Sequence, residues 1–334
     1  MSNPNIFKYS TSELSQDAII CYILEWAKVE RKTINIDLHE IAVSFLDSIF
    51  SKFTNIEKPR SYHEIDIKKQ YKNIDILCVV NNKYSIIIED KTNTKNHSGQ
   101  LKRYFDTVKK DFNETEVMRV YFKTGDQSNY DDVIKNEYEV YSRKDFLDVL
   151  NSKLVKNDIV ENYTEYLQQI EDEVNSYKIL PSNEWGWNSW KGFFIELRKQ
   201  LNSGNWDYVS NPSGGFLGFW WNWIEAEKYN IYLQIDHSIN KITIKLYTKT
   251  DAKIEKAIVD EWKQHIKHNY GGIIINKPKV VRAGKSVTIG IVENDFIVSD
   301  SEGVVNIDKT IEFIKKIEDI QLDKLNSVGF GSQV

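Results

Sequence analysis

Apolar positions early in the chain repeat at helical spacing. Over residues 13–30, Leu14, Ile19, Ile20, Ile23, Leu24 and Ala27 form one stripe. Over 37–53, Ile41, Phe45, Leu46, Ile49 and Phe53 form a second, with Asp37 placed to cap it. Beyond Pro59 the period changes to two. Ile65 and Ile67 alternate with polar residues, Ile74 to Val80 is an apolar run, and Tyr84 to Ile88 is another. Asn81-Asn82 between the last two predicts a tight hairpin. A helix over 98–112 follows, then strands at Met118–Phe122 and Glu137–Tyr141, a short helix over 143–150, and a highly charged helix over 156–177. This order predicts an α/β domain over 1–180.

Around Pro181 the composition shifts, and eight of the nine tryptophans lie beyond it. The pattern there predicts a helix over 188–201, strands at Phe216–Glu225, Asn230–Ile235 and Lys241–Tyr247, and a helix over 251–268. A hairpin of Ile273–Val281 with Ser286–Val292, turning at Ala283-Gly284, and an amphipathic helix over 307–320 complete an aromatic-rich α+β domain over 181–334. In Trp220-Trp221-Asn222-Trp223, strand alternation puts Trp221 and Trp223 on one face and Trp220 on the other.

Composition narrows the function. A net charge of −5 excludes a protein that coats nucleic acid with its whole surface, while leaving local basic patches open. Two cysteines, Cys21 and Cys78, suit a reducing cytoplasm and make neither a disulfide scaffold nor a zinc cluster. The opening MSNPNIFKYS lacks the pattern of a signal peptide, and no apolar run has the ~20 residues of a membrane span.

The chemistry concentrates in 71–104. Asp75 interrupts an apolar strand, and Glu89-Asp90-Lys91 ends the next. Alternation points Glu89 and Lys91 one way and Asp90 the other. The hairpin brings Asp75 toward Glu89, with a register that sequence does not specify. Two carboxylates beside an ammonium suit a hard divalent ion, Mg²⁺ or Mn²⁺, which takes one or two carboxylates plus substrate phosphate. Lys91 is then placed to orient water or offset charge developing on phosphorus.

Ile74-Asp75 with Glu89-Asp90-Lys91, followed by Gln100 and Tyr104 four residues apart on a helix, resembles the PD-(D/E)XK nuclease superfamily and the QxxxY element of its RecB-like members. Ile74 stands where the motif has proline. The resemblance covers about residues 5–150 and nothing beyond 180. It implies a restriction-endonuclease-like fold, with a central mixed sheet flanked by helices. It also implies metal ligation by Asp75, Glu89 and the Asp90 carbonyl, and water positioning by Lys91. Gln100 would steady Lys91 or touch a phosphate, and Tyr104, Lys102 and Arg103 would meet substrate. The opening helix resembles that of a bacterial branch in which a Glu reaches the site. Glu13 is the first candidate, with Glu40 and Glu64 as rivals.

These residues also have ordinary readings. Glu89 and Lys91 can form a surface pair worth about 0–1 kcal/mol. Gln100 and Tyr104 can be plain helix residues, and Glu13 can favour its helix dipole. Lys277, Lys279, Arg282 and Lys285 can keep an edge strand soluble instead of meeting phosphate. The expected function is a metal-dependent phosphodiesterase, an endonuclease before an exonuclease, cutting DNA in phage defence or restriction. It would act as a possible homodimer, with the second domain binding substrate, dimerising or sensing. The alternatives are an RNA-cleaving enzyme with the same site and an inactive nuclease scaffold that binds nucleic acid or protein.

Overall fold

The computed structural model describes residues 4–97, 99–211, 214–225, 228–280 and 283–327. The chain divides into two compact units, Met1–Asp172 and Glu173–Val334. The composition change at Pro181 falls just after that division.

The first unit opens with α1 (Glu13–Trp26) and α2 (Ile36–Ser51). Ser12 caps α1 by accepting from Ser15 N. Asn35, not Asp37, caps α2 by accepting from Leu38 N. Asp37 lies within the first turn, where it pairs with Lys153 at 2.8 Å. The α1 stripe is less apolar than its pattern predicts. Leu14 is 60% exposed, whereas Gln16 and Asp17 are buried.

Strands β1 (Ile65–Tyr71), β2 (Ile74–Val80), β3 (Tyr84–Lys91), β4 (Val117–Lys123) and β5 (Glu139–Ser142) form one sheet in chain order. The first three pair antiparallel, and β3/β4 and β4/β5 pair parallel. The β2–β3 turn has Asn81 and Asn82 at φ 54° and 52°, a left-handed conformation that asparagine tolerates. Val80 faces Tyr84, so the turn is one residue longer than the asparagine pair and includes Lys83.

Helices α1, α2, α5 (Arg143–Leu150) and α6 (Asp158–Asn175) lie on one side of this sheet, over Ile76, Cys78, Ile86 and Ile88. On the other side, α3 (Gln100–Val108) and α4 (Asp131–Lys135) cover Leu77, Val79, Ile87 and Tyr121. With both faces covered, β3 is buried along its whole length. A solvated Glu89–Lys91 pair is thereby excluded.

The second unit contains α7 (Trp187–Leu201), β6 (Asn205–Val209), β7 (Phe216–Glu225), β8 (Tyr229–Asp236), β9 (Lys241–Thr248), α8 (Lys256–Gln264), β10 (Asn269–Tyr270), β11 (Ile273–Asn276), β12 (Ser286–Val292) and α9 (Ile307–Ser327). Its strands make an antiparallel sheet ordered β10-β11-β12-β9-β8-β7-β6. The predicted hairpin arm is short. β11 stops at Asn276, because Pro278 offers no ladder N–H. Of the basic run at this edge, Arg282 lies outside the described residues, and Lys285 pairs with Asp251 at 2.5 Å.

The tryptophan faces differ from simple alternation. The β7–β8 register shifts between Trp221 and Ile224, with Asn222 at φ 53°. This bulge puts Trp220 and Trp223 on one face, while Trp221 is buried in the core on the other. Among the described residues, no helix is long and apolar enough to cross a membrane.

Candidate active site

Sheet register explains why the carboxylates converge. Ile76 faces Ile88, so the preceding residue on β2 and the following one on β3 put Asp75 and Glu89 opposite each other on one sheet face. Lys91, two residues beyond Glu89, shares that face. Its ammonium lies 2.5 Å from Glu89 Oε1, 3.7 Å from Asp75 Oδ2 and 3.8 Å from Glu13 Oε2, and it donates to the Asp90 carbonyl at 2.8 Å. Asp75 Oδ2 also accepts from Asp90 N at 2.9 Å, which locks the carboxylate against β3.

Of the three glutamates considered, Glu13 is the one beside Lys91. It accepts from Thr92 N at 3.3 Å and Thr94 Oγ1 at 2.5 Å, so it ties α1 to the segment leaving β3. Glu40 instead pairs with Lys153, and Glu64 accepts from Asn82. Gln100 and Tyr104 bond to each other at 2.8 Å, and His97 N donates to Gln100 Oε1 at 3.1 Å. Among the described residues Gln100 has no hydrogen bond to Lys91. Tyr104 is buried on the site's side of the sheet, and burial, aided by Glu89 and Asp75, raises its pKa. Lys102 and Arg103 are exposed on α3.

Several members of the cluster escape sequence reading. Gln16 lies one turn along α1 from Glu13. Its amide nitrogen donates to Asp90 Oδ1, and its oxygen accepts from Thr124 Oγ1 at 2.5 Å and Tyr163 OH at 3.1 Å. Asp17 faces Lys69 at 3.8 Å, and Gln70 Nε2 reaches both Asp17 and Asp75 at 3.4 Å. Lys123, beside Lys91 in the β3–β4 register, donates to the Thr94 carbonyl at 2.5 Å. Gly125 is needed for close approach, since a Cβ there would collide with the Thr92 carbonyl. The available signal was Glu13, Gln16 and Asp17 at i, i+3 and i+4, a polar stripe on an otherwise apolar helix.

Replacing Gln16 with leucine is expected to cost about 2–4 kcal/mol, because it strands three buried polar groups. A lowered denaturation midpoint checks this.

The site is electrostatically loaded. Burial pushes the Glu89 carboxyl up to about 8, with Asp75 adding to the rise and Lys91 opposing it. Burial, then Asp75, lifts Asp17 to about 6. Asp90 is raised by burial and by Asp17. Burial opposes the Lys91 charge, yet Glu89, Asp75 and Glu13 together hold its pKa above the ordinary lysine range.

Groups raised on folding stabilise fully below their unfolded pKa and lose that contribution as pH passes the folded value. For Glu89 that window runs from 4.5 to about 8, and for Asp17 from 3.8 to about 6. The metal-free protein should therefore lose stability as pH rises from about 4.5 to about 8, by up to ~1.4 kcal/mol per unit for one group. Glu89→Gln should flatten this slope in melts recorded with EDTA.

Glu89 is fully buried, with the Lys91 ammonium 2.5 Å from its Oε1. A fully buried carboxylate opposite a second carboxylate fits a hard cation. Among the described residues, no three His, Cys, Asp or Glu side chains are arranged to hold a metal alone. The available set is Asp75, Glu89 and a backbone carbonyl, with room for waters and substrate oxygens in the remaining positions.

A family model, that of the PD-(D/E)XK nuclease superfamily, matches residues 11–203. The match continues into α7, beyond the stretch in which motifs are readable. No curated protein and no solved structure matches the chain.

Proposed function

Because the chain belongs to the PD-(D/E)XK nuclease superfamily, we infer that it is a Mg²⁺- or Mn²⁺-dependent endonuclease that cuts DNA, with its working site at Asp75, Glu89 and Lys91. The observation that carries this reading is one ammonium within 3.8 Å of three carboxylates, one of them fully buried. A pure binding module has no use for that arrangement, since the acidic cluster repels phosphate.

A divalent ion held there would offset phosphate charge and lower the pKa of water at the scissile bond. Asp75, fixed by Asp90 N, and Glu89 would hold it, with the Asp90 carbonyl as a third ligand. Lys91 would orient the attacking water and neutralise charge gathering on the phosphate oxygens. Glu13 would act as a positioning residue, setting the lysine's direction and tethering the Thr92–Thr94 segment. Lys102 and Arg103, exposed on α3, would meet the backbone of a substrate strand, with Tyr104 buried beneath them on the same helix. The Gln100–Tyr104 bond supports a bracing role for Gln100. A nuclease acting in phage defence or restriction would use this site unchanged, paired across a homodimer where both strands are cut.

Plasmid and RNA incubations with Mg²⁺, Mn²⁺ or EDTA test the reading. Expected is nicking that EDTA removes and that Asp75→Asn or Glu89→Gln lowers by about 10²–10³-fold. RNA cut in preference to DNA would move the assignment to a ribonuclease. Nucleic-acid binding without cleavage under either metal would favour an inactive scaffold.

A further inference from the structure

The sheet of the second unit buries one face under α7, α8 and α9, against Phe219, Trp221, Leu233, Ile244 and Val287. Its other face carries a different chemistry. Directly opposed residues on β8, β9 and β12 place Tyr232, Lys245 and Thr288 in one row. The bulge at Asn222 adds Trp223 to that row from β7, stacked on Tyr232 with ring centroids 4.2 Å apart and planes 15° from parallel. Tyr247 closes on the tryptophan edge-on at 5.7 Å. Trp223 nevertheless remains 46% exposed. Trp220, on the same face three residues earlier, is half-buried.

Lys245 donates to Thr288 Oγ1 at 3.0 Å, and no carboxylate among the described residues pairs with it. Burial lowers its pKa, with Asp236 on the neighbouring strand opposing the shift. Of the other charges on this face, Glu225 pairs with Lys249 at 3.7 Å and Lys241 with Asp295 at 3.2 Å, while Asp236 accepts from Ser238 N at 2.9 Å and Ser238 Oγ at 2.6 Å. Ser286 offers a hydroxyl, 2.7 Å from that of Tyr232. Among the described residues, the buried Oδ1 of Asn230 has no hydrogen-bond partner.

We propose that this face binds single-stranded nucleic acid, stacking a base on Trp223 and receiving a backbone phosphate at Lys245. Strands lie about 4.8 Å apart, so two strand spacings separate the aromatic platform from the ammonium, the reach from a base to a neighbouring phosphate. A bulge that re-aims a tryptophan outward sacrifices ladder bonds and core burial, which is the arrangement seen where a side chain serves a ligand. Two tryptophans along one open strand suit successive bases of a strand, whereas a free nucleotide is usually held in an enclosed pocket. A duplex has its bases stacked inside and offers none to Trp223.

The test is fluorescence anisotropy on the full chain in EDTA, with labelled oligothymidylate and oligouridylate of about twelve nucleotides. Trp223→Ala and Lys245→Gln should each weaken binding about tenfold, as one base stack or one phosphate contact requires. Trp223→Phe and Lys245→Arg should retain it, which separates lost contact from lost folding. Trp187→Ala removes another exposed tryptophan and should change nothing. Asp75→Asn, in the metal site, should also bind normally, so failed cleavage and failed binding are read separately. The proposal is overturned if the native chain does not bind either strand, or if both the alanine and glutamine variants bind normally. Equal affinity for a mononucleotide, or preference for duplex, also overturns it.

Discussion

Lys91→Ala is expected to lower metal-dependent cleavage by about 10³-fold or more. The ammonium lies 2.5 Å from Glu89 Oε1 and stands between Glu89, Asp75 and Glu13. Its removal takes away the group that offsets phosphate charge and leaves the carboxylates repelling one another. Glu89 should then protonate more readily, because Lys91 is what opposes the upward shift of its pKa. An added divalent ion should consequently raise the melting temperature of Lys91→Ala more than that of the native chain, since it restores the missing positive charge. Single-turnover cleavage and melts with Mn²⁺ check both expectations. Activity within tenfold of native would remove Lys91 from the chemistry.

The second large effect is structural. Arg143→Met is expected to destabilise the first unit by about 3–5 kcal/mol, the usual result of breaking a buried ion pair on one side. Arg143 is 5% exposed and forks onto Asp126 at 3.1 and 3.2 Å, onto Glu171 at 2.9 Å, and onto the Thr124 carbonyl at 2.6 Å. Thr124 is also where Gln16 binds, and its amide donates to the Lys91 carbonyl at 3.3 Å. Arginine therefore braces, through one residue, the end of the strand that carries the site. Calorimetry should show the first unit's transition falling by roughly 10 °C, given ~2–4 °C per kcal/mol at this size. Arg143→Lys should recover little of this, because lysine lacks the planar fork.

Much of the first unit's order is legible because its signals are local and agree. Helical stripes, a change to period two after Pro59 and a double asparagine each point to one structure. Asp75, Glu89 and Lys91 were readable for a related reason: a carboxylate in an apolar strand conflicts with burial unless it has a partner. Gln16 and Asp17 were not readable, since polar residues on an amphipathic helix ordinarily face water. Here they face Asp90, Asp75 and Lys69, and only the tertiary fold makes that surface interior. Trp223 failed differently. Alternation holds only while the ladder stays in register, and the bulge at Asn222 breaks it. Strands β6 and β10 are short, five and two residues, so their pairing depends on neighbouring strands more than on their own pattern.

The most direct measurement is the anomalous scattering of a crystal soaked in Mn²⁺. A peak bounded by the Asp75 and Glu89 carboxylates and the Asp90 carbonyl is expected, lost in Glu89→Gln. A saturating soak that leaves this place empty, or puts the ion elsewhere in the first unit, would contradict that expectation.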